Sequence, residues 1–222
     1  MNDTPATNAP ETKPPAPPPS GLTARIKAIL AVVVLVSVAL LAGRHYLGWV
    51  SNGGEPPVPA VAVGGPFTLI DQDGRPRTDA DFRGRLMLVY FGFTYCPDVC
   101  PTSLTVVGQA LDSLGAAADK IAPVFITVDP DRDTPEQLKE YVRHFHPRLT
   151  GLTGTKEQIA AAAKAYRVYY AKVRPQGAPE DEYTMDHTSI TYLMGPDGKF
   201  LAHFSHGTEP DAMAARIRRS LK

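Results

Sequence analysis

The chain has 222 residues, of which 23 are basic and 23 acidic, so its formal net charge is zero. This balance provides no cluster of Lys and Arg for binding phosphates, and we therefore expect no nucleic-acid partner. About 160 residues follow the N-terminal segments, which is enough for one domain with a hydrophobic core.

The N-terminal segment, residues 1–21, contains seven prolines. A segment of this composition cannot bury a core, so we predict a disordered Pro-rich tail. The segment also lacks Arg, which argues against a mitochondrial transit peptide.

An apolar run at residues 22–43 is about as long as the 20 residues that cross a bilayer as one helix. The alternative is a cleaved signal peptide, because residues 37–39 loosely resemble a cleavage site. No clean site ends the run, so we predict an uncleaved transmembrane anchor. Residues 44–60 then form a linker rich in Gly and Pro, and residues 61–222 form the main domain.

Basic residues are distributed unevenly around the apolar run. Lys13, Arg25 and Lys27 precede its uncharged core, whereas Arg44 alone follows closely. The positive-inside bias therefore predicts a cytoplasmic N-terminus. We expect a single-pass protein of the bacterial inner membrane with its C-terminal domain in the periplasm.

The main domain alternates segments of strand and helix character. Continuous apolar runs at 86–93 and 121–128 predict strands buried on both faces. Apolar residues at helical spacing, capping boxes and turn residues predict the remaining elements: a strand at 67–70, helices at 102–114, 134–145, 155–166 and 208–221, and a β-hairpin from strands 188–194 and 199–204. This order predicts an α/β fold, a thioredoxin-like domain with an added β-hairpin, preceded by one transmembrane helix.

Cys96 and Cys100 are the only cysteines, and they follow the first buried strand directly. A disulfide across three residues would remove little chain entropy, so we expect reversible redox chemistry or metal binding. Pro101 suits the first position of the next helix, which predicts Cys100 as its cap. The helix dipole would lower the pKa of a thiol placed there.

His187 lies in a polar segment that precedes a predicted strand. Two thiolates and one imidazole suit copper, although zinc with three protein ligands and a water is also compatible with this set. A lone histidine more often has a surface or core role. We expect such roles for the other five histidines, which are His45, His144, His146, His203 and His206.

Asp129, Asp131 and Asp133 resemble a cluster of carboxylate metal ligands. Their spacing is interrupted by proline and fits a turn and the start of a helix better. Asp98, between the cysteines, either favours a turn or attracts a cation.

Several of these segments together resemble the Sco/SenC family of copper-binding, thioredoxin-fold proteins. The resemblance covers about residues 60–222. It rests on five segments. Three are the cysteine loop, the Asp-rich turn and the segment with the Asp-His pair, which are Tyr90–Pro101, Thr127–Pro135 and Tyr183–His187. The two shorter ones are Phe145–Pro147 and Gly151–Gly154.

The resemblance implies a copper site, for Cu(I) and/or Cu(II), formed by Cys96, Cys100 and His187. It also implies a metallochaperone for the copper A centre of cytochrome c oxidase subunit II, served by a copper donor chaperone. The alternative is a thiol–disulfide oxidoreductase. In that function Cys96 and Cys100 are a redox-active pair that reduces the client's copper-ligand cysteines.

Overall fold

The computed structural model describes residues 21–51 and 62–221, which lie in two compact units, residues 1–60 and 61–222. The described part of the first unit is one helix, α1 (Gly21–Ser51). Its segment Arg25–Tyr46 is long and apolar enough to cross a membrane and is unburied. The predicted anchor lies within this helix. Helix α1 also includes Gly21, the last residue of the predicted tail, and residues 44–51, the first part of the predicted linker. Residues 1–20 of the tail and 52–60 of the linker lie outside the described residues.

The second unit contains nine strands and four helices in its described residues. In chain order they are β1 (Thr68–Asp71), β2 (Pro76–Thr78), β3 (Leu86–Gly92), α2 (Val99–Leu114), β4 (Ile121–Thr127), α3 (Pro135–Val142), β5 (Thr150–Thr153), α4 (Lys156–Tyr166), β6 (Tyr170–Val173), β7 (Thr184–His187), β8 (Ile190–Met194), β9 (Phe200–Ser205) and α5 (Pro210–Ser220). Two 3₁₀ turns, Asp79–Phe82 and Gly115–Lys120, precede β3 and β4.

The main sheet has the strand order β2-β1-β5-β4-β3-β8-β9. Strands β3, β4 and β5 pair in parallel, and the other pairs are antiparallel. Strands β6 and β7 form a separate two-stranded antiparallel sheet. The predicted α/β architecture and the added hairpin, β8–β9, are confirmed.

Strand β3 is buried along its whole length because helices cover both faces of the sheet. Leu86 and Leu88 belong to one hydrophobic cluster, which includes residues of α2 and α5. Met87, Val89 and Phe91 belong to the other, which includes residues of α3 and α4. This alternation follows from the two-residue period of a strand.

The starts of α3 and α4, which were predicted from capping residues, are confirmed. Thr134 and Thr155 cap α3 and α4, and each hydroxyl accepts a backbone N–H, from Gln137 and Gln158 respectively. The sequence analysis missed β2, β5, β6 and β7. Each of these strands has only three or four residues, so its own apolar pattern is too short to predict it.

The end of β3 is packed so closely that only glycine fits there. A Cβ atom on Gly92 would lie 2.9 Å from Cys100 Sγ, 2.9 Å from Phe125 Cε2 and 3.0 Å from Tyr90 Cε1. The missing side chain therefore lets the first turn of α2 pack directly against the end of β3.

Replacing Gly92 by alanine is expected to lower the free energy of unfolding by about 1–3 kcal/mol, the usual cost of overpacking a core. The new methyl group would press on Phe125 and Cys100. Urea unfolding of the full-length protein in detergent, followed by circular dichroism, measures the change. In a Cys100→Ala background the cost should be smaller, because one of the two closest contacts is gone. An unchanged free energy in Gly92→Ala would contradict this explanation.

Candidate metal centre

The cysteine loop joins β3 to α2. The helix begins at Val99 with Asp98 at the N-cap, so the prediction that Cys100 caps the helix is wrong, and Cys100 lies in the first turn. The reason is local: Cys96 Sγ accepts the Cys100 backbone N–H at 3.3 Å. This N–H has no partner within the helix, and the sulfur provides one.

The two thiols differ in their exposure to solvent. Cys100 is fully buried against the sheet, whereas Cys96 is half-buried, and neither forms a disulfide. A ligand or sulfur that comes from solvent can therefore reach Cys96 first.

His187 ends β7 and pairs with Tyr170 across the small sheet. His187 precedes the hairpin β8–β9 as predicted, but it lies in a strand and not in a polar loop. Its ring packs edge-on against Tyr90 and Phe93, with centroids 6.1 Å and 5.9 Å away. The sequence analysis did not single out these two rings, although both belong to the apolar run that ends at the cysteine loop.

The imidazole is oriented by its own backbone segment. His187 Nδ1 lies 3.1 Å from the carbonyl oxygen of Thr188. Since a carbonyl oxygen only accepts, Nδ1 carries the proton of this hydrogen bond. Nε2 lies 3.3 Å from Cys100 Sγ, so this second ring nitrogen faces the thiols.

The fold brings the three predicted ligands together. The sulfurs of Cys96 and Cys100 and the ring nitrogen of His187 all lie within 4.8 Å of one another. Within residues 21–51 and 62–221, no other group of three or more His, Cys, Asp and Glu side chains is arranged so that it could hold a metal ion. Two sulfurs and one nitrogen form a soft donor set.

The two thiols have very different pKa values, because the proton of the Cys100 thiol is donated in a hydrogen bond to the Cys96 sulfur. The hydrogen bond from the Cys100 thiol is the main cause that lowers the pKa of Cys96 to about 4, helped by His187 and by backbone N–H groups and opposed by burial. The same interaction, together with burial, raises the pKa of Cys100. The reduced, metal-free pair therefore carries a thiolate at Cys96 and a thiol at Cys100, and the thiolate is the form that binds metal or attacks a disulfide.

The Asp-rich turn is structural, as its spacing indicated. Asp133 is buried and accepts hydrogen bonds from the Thr94 backbone N–H at 3.0 Å and from the Thr94 and Thr127 hydroxyls at 2.6 Å each. Asp129 pairs with Arg132, and Asp131 forms an exposed ion pair with Lys156. Asp98, at the N-cap, accepts a hydrogen bond from the Thr102 hydroxyl at 3.2 Å.

The other histidines of the domain lie outside the thiol cluster. His144 and His146 follow α3, and His146 Nε2 lies 3.6 Å from the Asp112 carboxylate. His203 is exposed within β9. His206 follows β9, with its Nδ1 3.2 Å from Ser103 Oγ.

Residues 56–222 match the SCO1/SenC family. An SCO2-like protein of Rickettsia conorii is 40% identical over 199 residues, which cover 86% of this chain and 96% of that protein. The chain belongs to the SCO1/SenC family. The family resemblance predicted from the sequence is confirmed.

Solved structures of Sco proteins share the fold. Bradyrhizobium japonicum ScoI with copper bound is 45% identical with a TM-score of 0.66, covering 72% of this chain and 99% of that chain. BsSco, described as a member of the Sco family of cytochrome c oxidase assembly proteins with a disulfide switch, is 26% identical with a TM-score of 0.55, covering 72% and 94%. These likenesses confirm the thioredoxin-like fold.

Alkylation of Cys96 by iodoacetamide in the reduced, metal-free protein should follow a titration with its midpoint at about pH 4. Because the pKa of Cys96 is lowered to about 4, the thiolate exists above that pH and is lost only as the pH falls through it. Mass spectrometry of the modified protein measures the rate. Cys100→Ala removes the strongest hydrogen bond to the sulfur and should move the midpoint upward. A wild-type midpoint near the ordinary value of 9.0 would refute the hydrogen-bonded arrangement of the two thiols.

Proposed function

We propose that this chain is a membrane-anchored copper metallochaperone for the copper A centre of cytochrome c oxidase subunit II. The observation that carries the proposal is the cluster of Cys96, Cys100 and His187, whose ligand atoms lie within 4.8 Å of one another. Thiolates select Cu(I), and an imidazole nitrogen helps to hold Cu(II). The copper-bound relative supports copper as the cargo.

The donor set favours copper over structural zinc. A structural zinc site takes four protein ligands, whereas this cluster offers three. A three-coordinate copper leaves one position for an incoming ligand. Client thiolates can then replace the ligands of this chain one at a time. Each new copper–sulfur bond replaces one bond to this protein, and no electron is transferred. Half-buried Cys96 is the ligand that a client reaches most easily.

Thiol–disulfide exchange is the second candidate function, and the Cys96 thiolate beside the Cys100 thiol favours it. Cys96 would attack a client disulfide and release one client thiolate, which leaves a mixed disulfide. Cys100, after losing its proton, would attack Cys96 Sγ and release the second client thiolate. The client disulfide is thereby reduced and the Cys96–Cys100 pair oxidised. The disulfide switch described for BsSco supports this alternative.

The proposed site of action is the outer face of the bacterial inner membrane. In this arrangement residues 1–21 form a cytoplasmic tail, 22–43 the anchor, 44–60 the linker, and 61–222 the periplasmic domain. The apolar helix Arg25–Tyr46 and the uneven distribution of basic residues support this topology. A copper donor chaperone and oxidase subunit II would be the partners.

The variant His187→Ala should separate the two functions. It removes one copper ligand but keeps both thiols and the Cys100 hydrogen bond that most lowers the pKa of Cys96. We expect it to fail to restore copper A assembly in cells lacking the wild-type protein, while it still reduces a test disulfide. Oxidase copper content and a disulfide-reduction assay measure the two outcomes.

The matched control is His203→Ala, because His203 is exposed in β9 and lies outside the ligand cluster. This variant should behave as wild type in both assays. Thermal unfolding checks that each variant is folded. A folded His187→Ala protein that binds no copper and yet restores assembly would refute the metallochaperone proposal and favour thiol reduction.

The proposed topology predicts that a C-terminal fusion places a reporter outside the cytoplasm, so that after Lys222 only reporters that function there are active. Alkaline phosphatase, which needs an oxidising compartment, should be active in this fusion. A reporter that works only in the cytoplasm should be inactive at the same position. The opposite pattern would place the thiol cluster in the cytoplasm.

A further inference from the structure

The turn between β4 and α3 carries Arg132, whose guanidinium lies between the two segments that form the metal centre. Its Cζ atom is 3.7 Å from the ring centroid of Tyr183 and 4.6 Å from that of Tyr95. Tyr95 directly precedes Cys96, and Tyr183 directly precedes β7, the strand that ends at His187. One side chain thus contacts both the cysteine segment and the histidine segment.

Tyr183 is fixed through three of its groups. Its ring lies against the Arg132 guanidinium, its carbonyl oxygen accepts a hydrogen bond from Arg132 Nη1 at 3.0 Å, and its hydroxyl donates to Asp129 Oδ1 at 2.9 Å. Asp129 is buried and also accepts a hydrogen bond from Arg132 Nε. A planar guanidinium can stack and donate in several fixed directions at once, which a lysine ammonium cannot do.

The same turn also holds the cysteine segment. Asp133 accepts both the backbone N–H and the hydroxyl of Thr94, two residues before Cys96. The turn is therefore attached to the cysteine loop through Thr94 and Tyr95 and to the β7 entry through Tyr183. It sets the separation of the two segments.

The small sheet that carries His187 has little support of its own. It consists of β6 and β7 alone and is not paired with the main sheet. Two-stranded sheets are only marginally stable without further packing. Its buried Met185 joins the core, and the His187 ring touches Tyr90 and Phe93 through edge contacts. The Arg132 contacts add a polar attachment at the start of β7, beside that of Lys172 of β6, which lies over the Tyr183 ring and pairs with Asp131.

We propose that Arg132 is a positioning residue that sets His187 opposite the two cysteines. It acts through Tyr183 and Tyr95 and contacts none of the three ligands itself. Insofar as His187 is a copper ligand, this inference rests on the proposed function. Asp133 still holds the cysteine segment through Thr94 when Arg132 is lost. The loss should therefore weaken copper binding through the position of His187.

A double-mutant cycle of Arg132→Met and His187→Ala tests this coupling. Cu(I) affinity is measured on full-length protein in detergent by competition with a chromogenic chelator. Arg132→Met should weaken binding about tenfold or more in the wild-type background, as loss of a ligand-orienting residue usually does. It should cause no further loss in the His187→Ala background. An equal loss in both backgrounds, or no loss in either, would overturn the proposal.

Arg75→Met is the matched control, because Arg75 is exposed in the turn after β1 and its side chain pairs only loosely, at 3.8 Å, with Asp73. It should leave the affinity unchanged. If Arg132→Met fails to fold, Tyr95→Leu replaces it. Tyr95 is 58% exposed, so its truncation removes one stacking partner of Arg132 with little effect on the core. A smaller loss with the same dependence on His187 is expected, and no loss would overturn the proposal.

A metal-free measurement separates this inference from the proposed function. The reduced full-length protein is labelled with ¹³C at histidine Cε1 and measured by NMR. The His187 signal is assigned as the one that disappears in the His187→Ala variant. Ring currents from Tyr90 and Phe93 should distinguish it from the exposed histidines. Arg132→Met should move this signal toward that of exposed His144, and Arg75→Met should not.

The two readouts fail independently. If His187→Ala binds copper as tightly as wild type, the proposed ligand set is wrong, whereas a shift of the His187 signal in Arg132→Met still supports positioning by Arg132. An unmoved His187 signal in a folded Arg132→Met protein would overturn the positioning role, whatever the copper affinities are.

Discussion

The close contact between Gly92 and Cys100 is the constraint on which the metal centre depends. Because residue 92 has no side chain, the first turn of α2 packs onto the end of β3 and buries the Cys100 sulfur. The hydrogen bond with Cys96, together with burial, keeps the proton on Cys100 and stabilises a thiolate at the more accessible position. The steric requirement at the end of the strand thus explains why the two thiols differ in access, and it contributes to their difference in charge.

The second requirement is a fixed distance between the cysteine loop, which follows β3 of the main sheet, and His187, which ends β7 of the small sheet. The Asp129–Asp133 turn fixes this distance through the buried carboxylates of Asp129 and Asp133, whose hydrogen bonds are satisfied by the protein. Burial raises the pKa of Asp133, and the donors from Thr94 and Thr127 oppose that rise. The carboxylates therefore serve to hold the site together rather than to bind a metal ion. The soft donors that suit copper are the thiol and imidazole groups instead.

The sequence predicted those features that depend on local patterns. Continuous apolar runs identified β3 and β4, and capping residues located the starts of α3 and α4. The cysteine pair after a buried strand indicated the site. The prediction that Cys100 caps α2 failed because the Cys96 sulfur accepts a first-turn N–H, an interaction that no pattern of residue types indicates. The strand that carries His187 and the stacking of Arg132 between two tyrosines depend on contacts between residues far apart in sequence. Neither can be predicted from periodicity.

X-ray absorption at the copper edge of the full-length protein, reduced and loaded with one equivalent of Cu(I), tests the copper site most directly. We expect a first coordination shell of two sulfurs and one nitrogen, from Cys96, Cys100 and His187 of a single chain. The imidazole should also produce the outer-shell scattering of its ring carbons. A shell with more than two sulfurs would indicate copper shared between chains. A shell of nitrogen and oxygen alone would place the copper away from the cysteines, and either result would contradict the proposed site.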